Sequence, residues 1–284
     1  MKTIETEYIK SPLNYVGGKF KLLPQIIPLL PNSINTFVDL FGGGFNVGIN
    51  VNAQKVYYND SMTQVVDMLE YFKTHSLKEM LDQIDSWVEE YQLSKTNQEG
   101  FTKFREYYNS NKNPLALYTL ICFAFNYQIR FNSSGNYNMP FGKERSSFST
   151  TLRFKFIKFI DALHNKHCDF YDRDFRGLKV ENLTSNDLVY CDPPYLITVA
   201  AYNENGGWTE QHEHDLLDKL DKINDNGIKF ALSNILEGKG KSNDILKEWS
   251  KKYNIHYLNN TYSNCNYQKK DKESKDIEVL ITNY

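Results

Sequence analysis

Two groups of residues in this 284-residue chain are spaced for chemistry. The first is Asp192-Pro193-Pro194-Tyr195, directly after the apolar run 187–191. Consecutive prolines fix φ and hold the residue before each one extended, so the loop is stiff and the Asp192 carboxylate and Pro193 carbonyl have set directions. Such a pair of acceptors beside an aromatic ring suits an exocyclic amine on a planar base. Each acceptor takes one N–H, which favours a tetrahedral nitrogen whose lone pair can attack an electrophile. Stacking on Tyr195 is worth about 1–3 kcal/mol, and a charge-assisted bond to Asp192 adds about 1.5–3 kcal/mol. The plainer reading is an Asp-Pro-Pro turn at a strand end.

The second group is Asp39-Leu40-Phe41-Gly42-Gly43-Gly44, followed by Asp60. Glycines after a strand let the backbone turn tightly and approach a ligand, and a helix that follows aims free N–H groups at anions. A carboxylate at Asp60 can accept hydrogen bonds from ribose hydroxyls. A nucleoside-type cofactor and a merely structural turn both fit. The dinucleotide fingerprint GxGxxG fits poorly. Cys122, Cys168, Cys191 and Cys265 form no CxxC pair, and His212 and His214 point to different helix faces, so no metal is expected.

These groups need elements to hold them. Residues 36–40, 55–59, 168–171, 187–191 and 228–233 are short apolar runs, and 210–223 carries Leu216, Leu217, Leu220 and Ile223 at helical spacing. Strands alternating with helices predict a mostly parallel sheet covered on both faces. The last runs, 256–262 and 276–284, are joined by a short lysine-rich segment, Lys269 to Glu273 among it, which predicts an antiparallel hairpin at the sheet edge and seven strands in all. From Ser61 to Asn165 the texture changes to apolar residues at three- and four-residue steps, the mark of packed amphipathic helices. One piece there, Gln128 to Gly142, alternates aromatic and polar residues around Ser133-Ser134-Gly135-Asn136, which predicts a projecting β-hairpin.

Composition narrows the class. Lysine and arginine number 33 against 35 acids, and 40% of residues are apolar, which excludes a polycationic coat protein and a disordered chain. The run Leu115 to Phe125 is too short to span a membrane, and the opening residues carry no signal-peptide block, so a cytoplasmic protein is expected.

Together these residues resemble the Dam-like, α-group DNA adenine-N6 methyltransferases, in which a cofactor motif, a target-recognition region and the Asp-Pro-Pro-Tyr motif follow in that order. The likeness covers nearly the whole chain. Asn14-Tyr15-Val16-Gly17-Gly18-Lys19 is similar to the family's N-terminal W-x-G-G-K element, and Asp39 to Gly43 to its [DE]-P-F-x-G-x-G loop. Asp60 matches the ribose-binding acid, Asp174-Phe175 the segment that holds the cofactor's adenine, and Leu232-Ser233-Asn234 a later strand motif. Arg130-Phe131-Asn132 through Phe141-Gly142 resembles the recognition hairpin.

The resemblance implies a Rossmann-like, seven-stranded methyltransferase sheet built from 1–60 and 166–284, with a helical recognition insertion, 61–165, carrying a β-hairpin. It implies methyl transfer from S-adenosylmethionine to N6 of a flipped adenine in double-stranded DNA, leaving S-adenosylhomocysteine, with no metal. Asp192, Pro193, Pro194 and Tyr195 take the catalytic positions. Tyr15, Lys19, Asp39, Phe41, Gly43, Asp60, Asp174, Phe175 and Asp192 take the cofactor positions. Asn126, Gln128, Arg130, Asn132, Asn138, Lys143 and Arg145 take the DNA positions. The expected setting is a restriction-modification system, with a monomeric enzyme and an endonuclease that acts on the same site without a stable complex. An orphan or phage methylase is the alternative. Cytosine-N4 enzymes more often have Ser at position 192, RNA or protein methyltransferases typically have Asn there, and a non-enzymatic DNA-binding regulator would not need Asp192 to Tyr195 with Asp60.

Two positions depart from the family pattern. Phe45 stands where the loop has its second glycine, which implies a different backbone path. Asn126-Tyr127-Gln128 replaces the Asn-Gly-Leu of GATC enzymes, so GATC does not carry over as the target. The near-neutral total charge also hides an uneven distribution: between Arg130 and Lys158 stand six cations (Arg130, Lys143, Arg145, Arg153, Lys155 and Lys158) and one acid, Glu144, which predicts a basic face and salt-sensitive DNA binding.

Overall fold

β-branched and aromatic runs become strands in the computed structural model, which describes residues 7–15, 17–197, 207–238, 240–259 and 276–284. The strands are β1 (Thr36–Asp39), β2 (Lys55–Asn59), β3 (Cys168–Tyr171), β4 (Leu188–Cys191), β5 (Lys229–Gly238), β6 (Lys241–Ser242), β7 (Asn254–Leu258) and β8 (Ile277–Thr282). They lie in the order β3-β2-β1-β4-β5-β8-β7, with β6 attached to β5. β1 runs parallel to β2 and β4, and β4 to β5, while β8 is antiparallel to both β5 and β7. The fold is therefore mixed α/β around a mostly parallel sheet. Among the described residues the strands number eight, not the expected seven: β6 is only two exposed residues long and has no apolar run to announce it. The Asn260 to Tyr262 end of the expected penultimate strand lies outside the described residues, as do the Lys269 to Glu273 run, Cys265 and Val16 of the N-terminal element.

Strand order reverses between β1 and β4, and the crevice at the carboxyl ends of such a pair is where open α/β sheets bind ligands. Asp39 ends β1 and pairs with Tyr190, two residues before Asp192, so both candidate loops leave the sheet at this switch point. β4 is buried along its whole length, as a strand covered on both faces must be. α7 (Glu210–Asp225) packs Leu216, Leu217, Leu220 and Ile223 against Val38, Val189, Phe230 and Ile281. Its start is a capping box in which the Thr209 hydroxyl accepts from the His212 N–H at 3.3 Å, which gives His212 a structural role.

The chain divides into two compact units, one of 19–42, 51–61 and 171–284, which holds most of the sheet, and one of 1–18, 43–50 and 62–170. β3 joins the sheet at Tyr171, whose carbonyl accepts the Asp60 N–H at 3.1 Å. After the one-turn α1 (Leu23–Ile26) of the first unit, the second unit is helical: α2 (Thr63–Thr74), α3 (Leu77–Glu90), α4 (Gln98–Asn111), α5 (Pro114–Phe123) and α6 (Thr150–His164). α5 is apolar on every side and buried from Leu115 to Phe123, the central member of its bundle. Pro114 opens it and the Asn113 side chain accepts the Ala116 N–H at 3.0 Å, so the helix start is fixed by both of the devices that favour one. Phe72, Tyr118 and Phe156 form its aromatic seam, with Tyr118 and Phe156 stacked at 4.7 Å.

The segment expected to be a hairpin makes a turn without a ladder. Its arms share an isolated bridge, Phe131 to Tyr137, and the bonds Asn138 N–H to Arg130 O and Asn132 N–H to Asn136 O. Neighbouring side chains take other backbone groups: Asn109 accepts the Tyr137 N–H at 2.8 Å and Arg105 donates to the Met139 carbonyl at 3.2 Å, both from α4. A sequence pattern of alternation cannot show that a helix outcompetes the opposite arm.

Candidate active site

Asp192 follows β4 immediately, and its surroundings explain why the loop can hold a carboxylate at a sheet end. The Lys19 ammonium lies 2.8 Å from Asp192 Oδ1 and 3.7 Å from Glu278 Oε1. Lys19 is 4% exposed, Glu278 2% and Asp192 18%, so three charges share a largely dry site. The Tyr195 hydroxyl reaches the same two acids, 3.1 Å from Asp192 Oδ1 and 3.4 Å from Glu278 Oε1, and its ring lies 5.0 Å from the Lys19 ammonium. Burial raises the Asp192 carboxyl above the ordinary carboxylate range, and Lys19 opposes that rise by charge and by hydrogen bond. Burial and the two carboxylates push the Tyr195 phenol well up, so it stays a hydrogen-bond donor. Pro193 is buried and Pro194 exposed, which leaves the rigid pair half embedded in the sheet end.

Below this group, Tyr190 on β4 is buried, bonds to the Ser233 hydroxyl of β5 at 3.0 Å and stacks against Phe37 of β1 at 5.9 Å. The Leu232-Ser233-Asn234 motif thus braces the strand that carries Asp192.

At the end of β1, Phe41 joins an aromatic trio, 5.4 Å from Phe175 and 5.7 Å from Trp208, with Phe175 and Trp208 5.4 Å apart. Glu213 orients the trio by accepting the Trp208 indole N–H at 2.6 Å. It also takes Asn243 at 2.8 Å and Asn234 at 3.4 Å, which satisfies a carboxylate that burial would otherwise penalise. Asp60 follows β2 and is buried, as is Asp39. Asn59 donates to the Leu40 carbonyl at 3.1 Å and the Arg173 carbonyl at 2.9 Å, tying the loops after β1 and β3 to the end of β2. Asp174 is turned toward Arg176, which binds it at 2.7 and 2.8 Å and holds its carboxyl below the ordinary range.

Gly42 must be glycine, because a Cβ there would lie 2.2 Å from the ring of Tyr58, itself fully buried on β2. Gly42→Ala is expected to destabilise the protein by about 1–3 kcal/mol through overpacking, seen as a lower midpoint in urea unfolding.

In the helical unit, Gly43 has φ +47 and its Cβ position would lie 3.0 Å from the ring of Tyr15. Phe45, expected to divert the loop, has φ 60, the left-handed region that glycine favours. The backbone there keeps a conformation suited to glycine while the phenyl ring, fully buried, packs edge-on against Phe170 at 5.9 Å.

The recognition candidates separate into two groups. Arg130 is bound by Asn138 through Nε to Oδ1 at 2.8 Å and Nη2 to the carbonyl at 3.0 Å. Asn132 Oδ1 accepts the N–H groups of Ser134 and Asn136 at 3.1 and 2.9 Å and so holds the turn. Asn126, Lys143 and Arg145 are exposed, and Gln128 is half-buried. Asn126 and Tyr127 both have positive φ, 54 and 55, a sharp corner that leaves the neighbouring Phe125 41% exposed. The basic stretch is less charged than its sequence, since Arg153 pairs with Asp85 of α3 at 2.6 Å and Lys158 with Glu7.

Three residues of these sites carried little sequence signal. Glu278 is a lone acid in the apolar run of β8, which was a cue. Trp208 and Glu213 lie in a polar stretch and offered none. Among the described residues no cluster of His, Cys, Asp and Glu could hold a metal, and no helix is long and apolar enough to cross a membrane.

Comparison with known proteins covers most of this architecture. Residues 15–264 match the model of the D12 class N6 adenine-specific DNA methyltransferase family. The chain is 56% identical to the type II methyltransferase M.FokI of Planomicrobium okeanokoites, over 98% of this chain and 43% of that protein. It is 49% identical to the modification methylase StsI of Streptococcus sanguinis, again over 98% of this chain and 43% of the relative. With the DNA adenine methylase of Escherichia coli (strain K12) it shares 24% identity, over 87% and 86% of the two chains. The chain thus spans less than half the length of the first two relatives.

Proposed function

Because the chain belongs to the D12 class N6 adenine-specific DNA methyltransferases, we propose that it methylates N6 of a specific adenine in double-stranded DNA, with S-adenosylmethionine as donor and S-adenosylhomocysteine as the other product. The observation that carries this reading is Asp192, held by a buried lysine at the carboxyl end of β4 with Tyr195 beside it. The target adenine is extruded from the duplex. Asp192 and the Pro193 carbonyl accept the two N–H bonds of N6 and turn its lone pair toward the electrophile, while Pro194 stiffens the loop and the Tyr195 ring stacks on the base. Acceleration comes from orientation and from acceptors already in place.

The residues present fit the donor. Asp60 suits the ribose hydroxyls, and the Phe41, Phe175 and Trp208 rings suit an adenine face. S-adenosylmethionine, when bound, supplies a methyl on a sulfonium. Its remaining assignments are Tyr15, Lys19, Asp39, Gly43, Asp174 and Asp192. In this reading 1–60 and 166–284 do the chemistry on a seven-stranded sheet to which β6 is an addition, and 61–165 recognises DNA with the turn at 130–142 in the role of the hairpin.

Asn138 and Asn132 then serve to present Arg130, while Arg130, Asn126 and Gln128 meet base edges and Lys143 and Arg145 meet phosphates. Arg130→Ala is expected to lose about 1–3 kcal/mol of specific affinity and to relax one base position in a binding-site selection. Uniform weakening on every sequence would make Arg130 a phosphate contact.

The names of the relatives, a type II methyltransferase and a modification methylase, support a restriction-modification setting. The proposed partner is an endonuclease that acts on the same site without a stable complex, and the enzyme works as a cytoplasmic monomer. Expression in a methylation-free host, followed by modification-sensitive sequencing of the genome, tests the proposal. N6-methyladenine in one sequence context is the expected result. An unmodified genome, or methylated cytosine, would overturn it.

A further inference from the structure

We propose that Glu278 is a positioning residue for the methyl-transfer step, holding Lys19 and Tyr195 so that Asp192 keeps the pose in which it receives the target amine. The inference rests on the reading of Asp192 given above.

Glu278 is the second residue of β8, paired with Ile235 of β5 on one side and Leu258 of β7 on the other. Its backbone is therefore held between two neighbouring strands, whereas Asp192 and Tyr195 leave the sheet on a loop and Lys19 opens a short 3-10 turn. The buried ammonium of Lys19 touches both acids, at 2.8 Å to Asp192 and 3.7 Å to Glu278. A lone Asp192 would satisfy one side of that ammonium and leave the rest of its charge in a dry site.

Tyr195 has a single hydroxyl hydrogen and two carboxylate oxygens within reach, at 3.1 and 3.4 Å. A hydroxyl that donates to Asp192 Oδ1 occupies a lone pair which an incoming amine needs. A hydroxyl turned to Glu278 clears Asp192 without leaving the phenol unbonded, and it holds the ring in place as the stacking surface. Glu278 thus gives the phenol and the ammonium a second acceptor fixed in the sheet, and Asp192 is released to the substrate without being released from Lys19.

The amino-acid change that tests this is Glu278→Gln in the full chain, assayed on DNA carrying the selected site with labelled S-adenosylmethionine. The variant keeps the shape but offers the ammonium a neutral amide. The expected result is a kcat lower by on the order of 10- to 100-fold, with KM for donor and DNA changed by less than about threefold. A purely structural acid would not produce this split between kcat and KM.

Glu278→Asp keeps the charge and withdraws it by one methylene, so it should fold and show an intermediate kcat. In a Tyr195→Phe background Glu278→Gln should cost less than it does alone, because part of its effect passes through the phenol. Wild-type kcat in Glu278→Asp, or in folded Glu278→Gln, would overturn the positioning role while leaving the methyltransferase reading intact. A wild-type chain that methylates no adenine would overturn both.

Discussion

Asp192→Ala is expected to abolish methylation, lowering turnover by at least on the order of 10³-fold, while the protein stays folded and keeps much of its DNA affinity. The loss follows from what the carboxylate does. In the proposed reaction it is the charged member of the acceptor pair that turns the amine lone pair outward, and the loop stiffened by Pro193 and Pro194 offers no second carboxylate in its place. Folding survives because Glu278 remains beside Lys19, 3.7 Å away, so the buried ammonium keeps an anion. Incorporation of labelled methyl into DNA, measured with circular dichroism and a DNA-binding titration on the same sample, separates the outcomes. Turnover at the wild-type level would remove Asp192 from the chemistry.

Lys19→Met is expected to have the largest effect on stability, a loss of about 3–5 kcal/mol, because it leaves two buried acids without their cation. The pH dependence has a definite sign. Burial already raises the Asp192 carboxyl and Lys19 restrains it, so removing Lys19 lets the carboxyl rise further. An acid whose pKa is raised on folding binds more protons in the folded state than in the unfolded one, so stability falls as pH rises through its folded pKa. The variant should therefore recover part of its lost stability on acidification toward the ordinary aspartate range. Residual activity should show the opposite trend, with its acid limb moved to higher pH, since the proposed step needs the ionised carboxylate to receive the amine. Thermal unfolding and kcat across the same pH series measure both. A variant as stable as wild type at every pH would show that the Lys19 contact is dispensable.

Much of the fold was legible in the chain. Strand runs such as 36–40 and 187–191, and the helical spacing of Leu216, Leu217, Leu220 and Ile223, are local patterns that report local structure. So was the stiffness of the Asp192 to Tyr195 loop, because proline acts on its immediate neighbours. The failures have a common origin. β6 leaves no mark in the sequence because two exposed residues make no pattern. The turn at 130–142 has alternating residues but no ladder, because α4 supplies competing hydrogen bonds through Asn109 and Arg105. The basic stretch lost part of its charge to Asp85 and Glu7, which are remote from it in sequence.

What the amino-acid sequence determined by itself is the set of reactive groups and the local geometry that proline, glycine and apolar periodicity impose on them. What only the tertiary structure decided is the electrostatic state of those groups. Tyr195 and Glu278 are 83 residues apart, yet their hydroxyl and carboxylate meet at 3.4 Å because β8 inserts beside β5. Lys19 reaches Asp192 from the other end of the chain. Charge interactions depend on distance through space and on how much water is excluded, and neither is encoded in the spacing of residues along the chain.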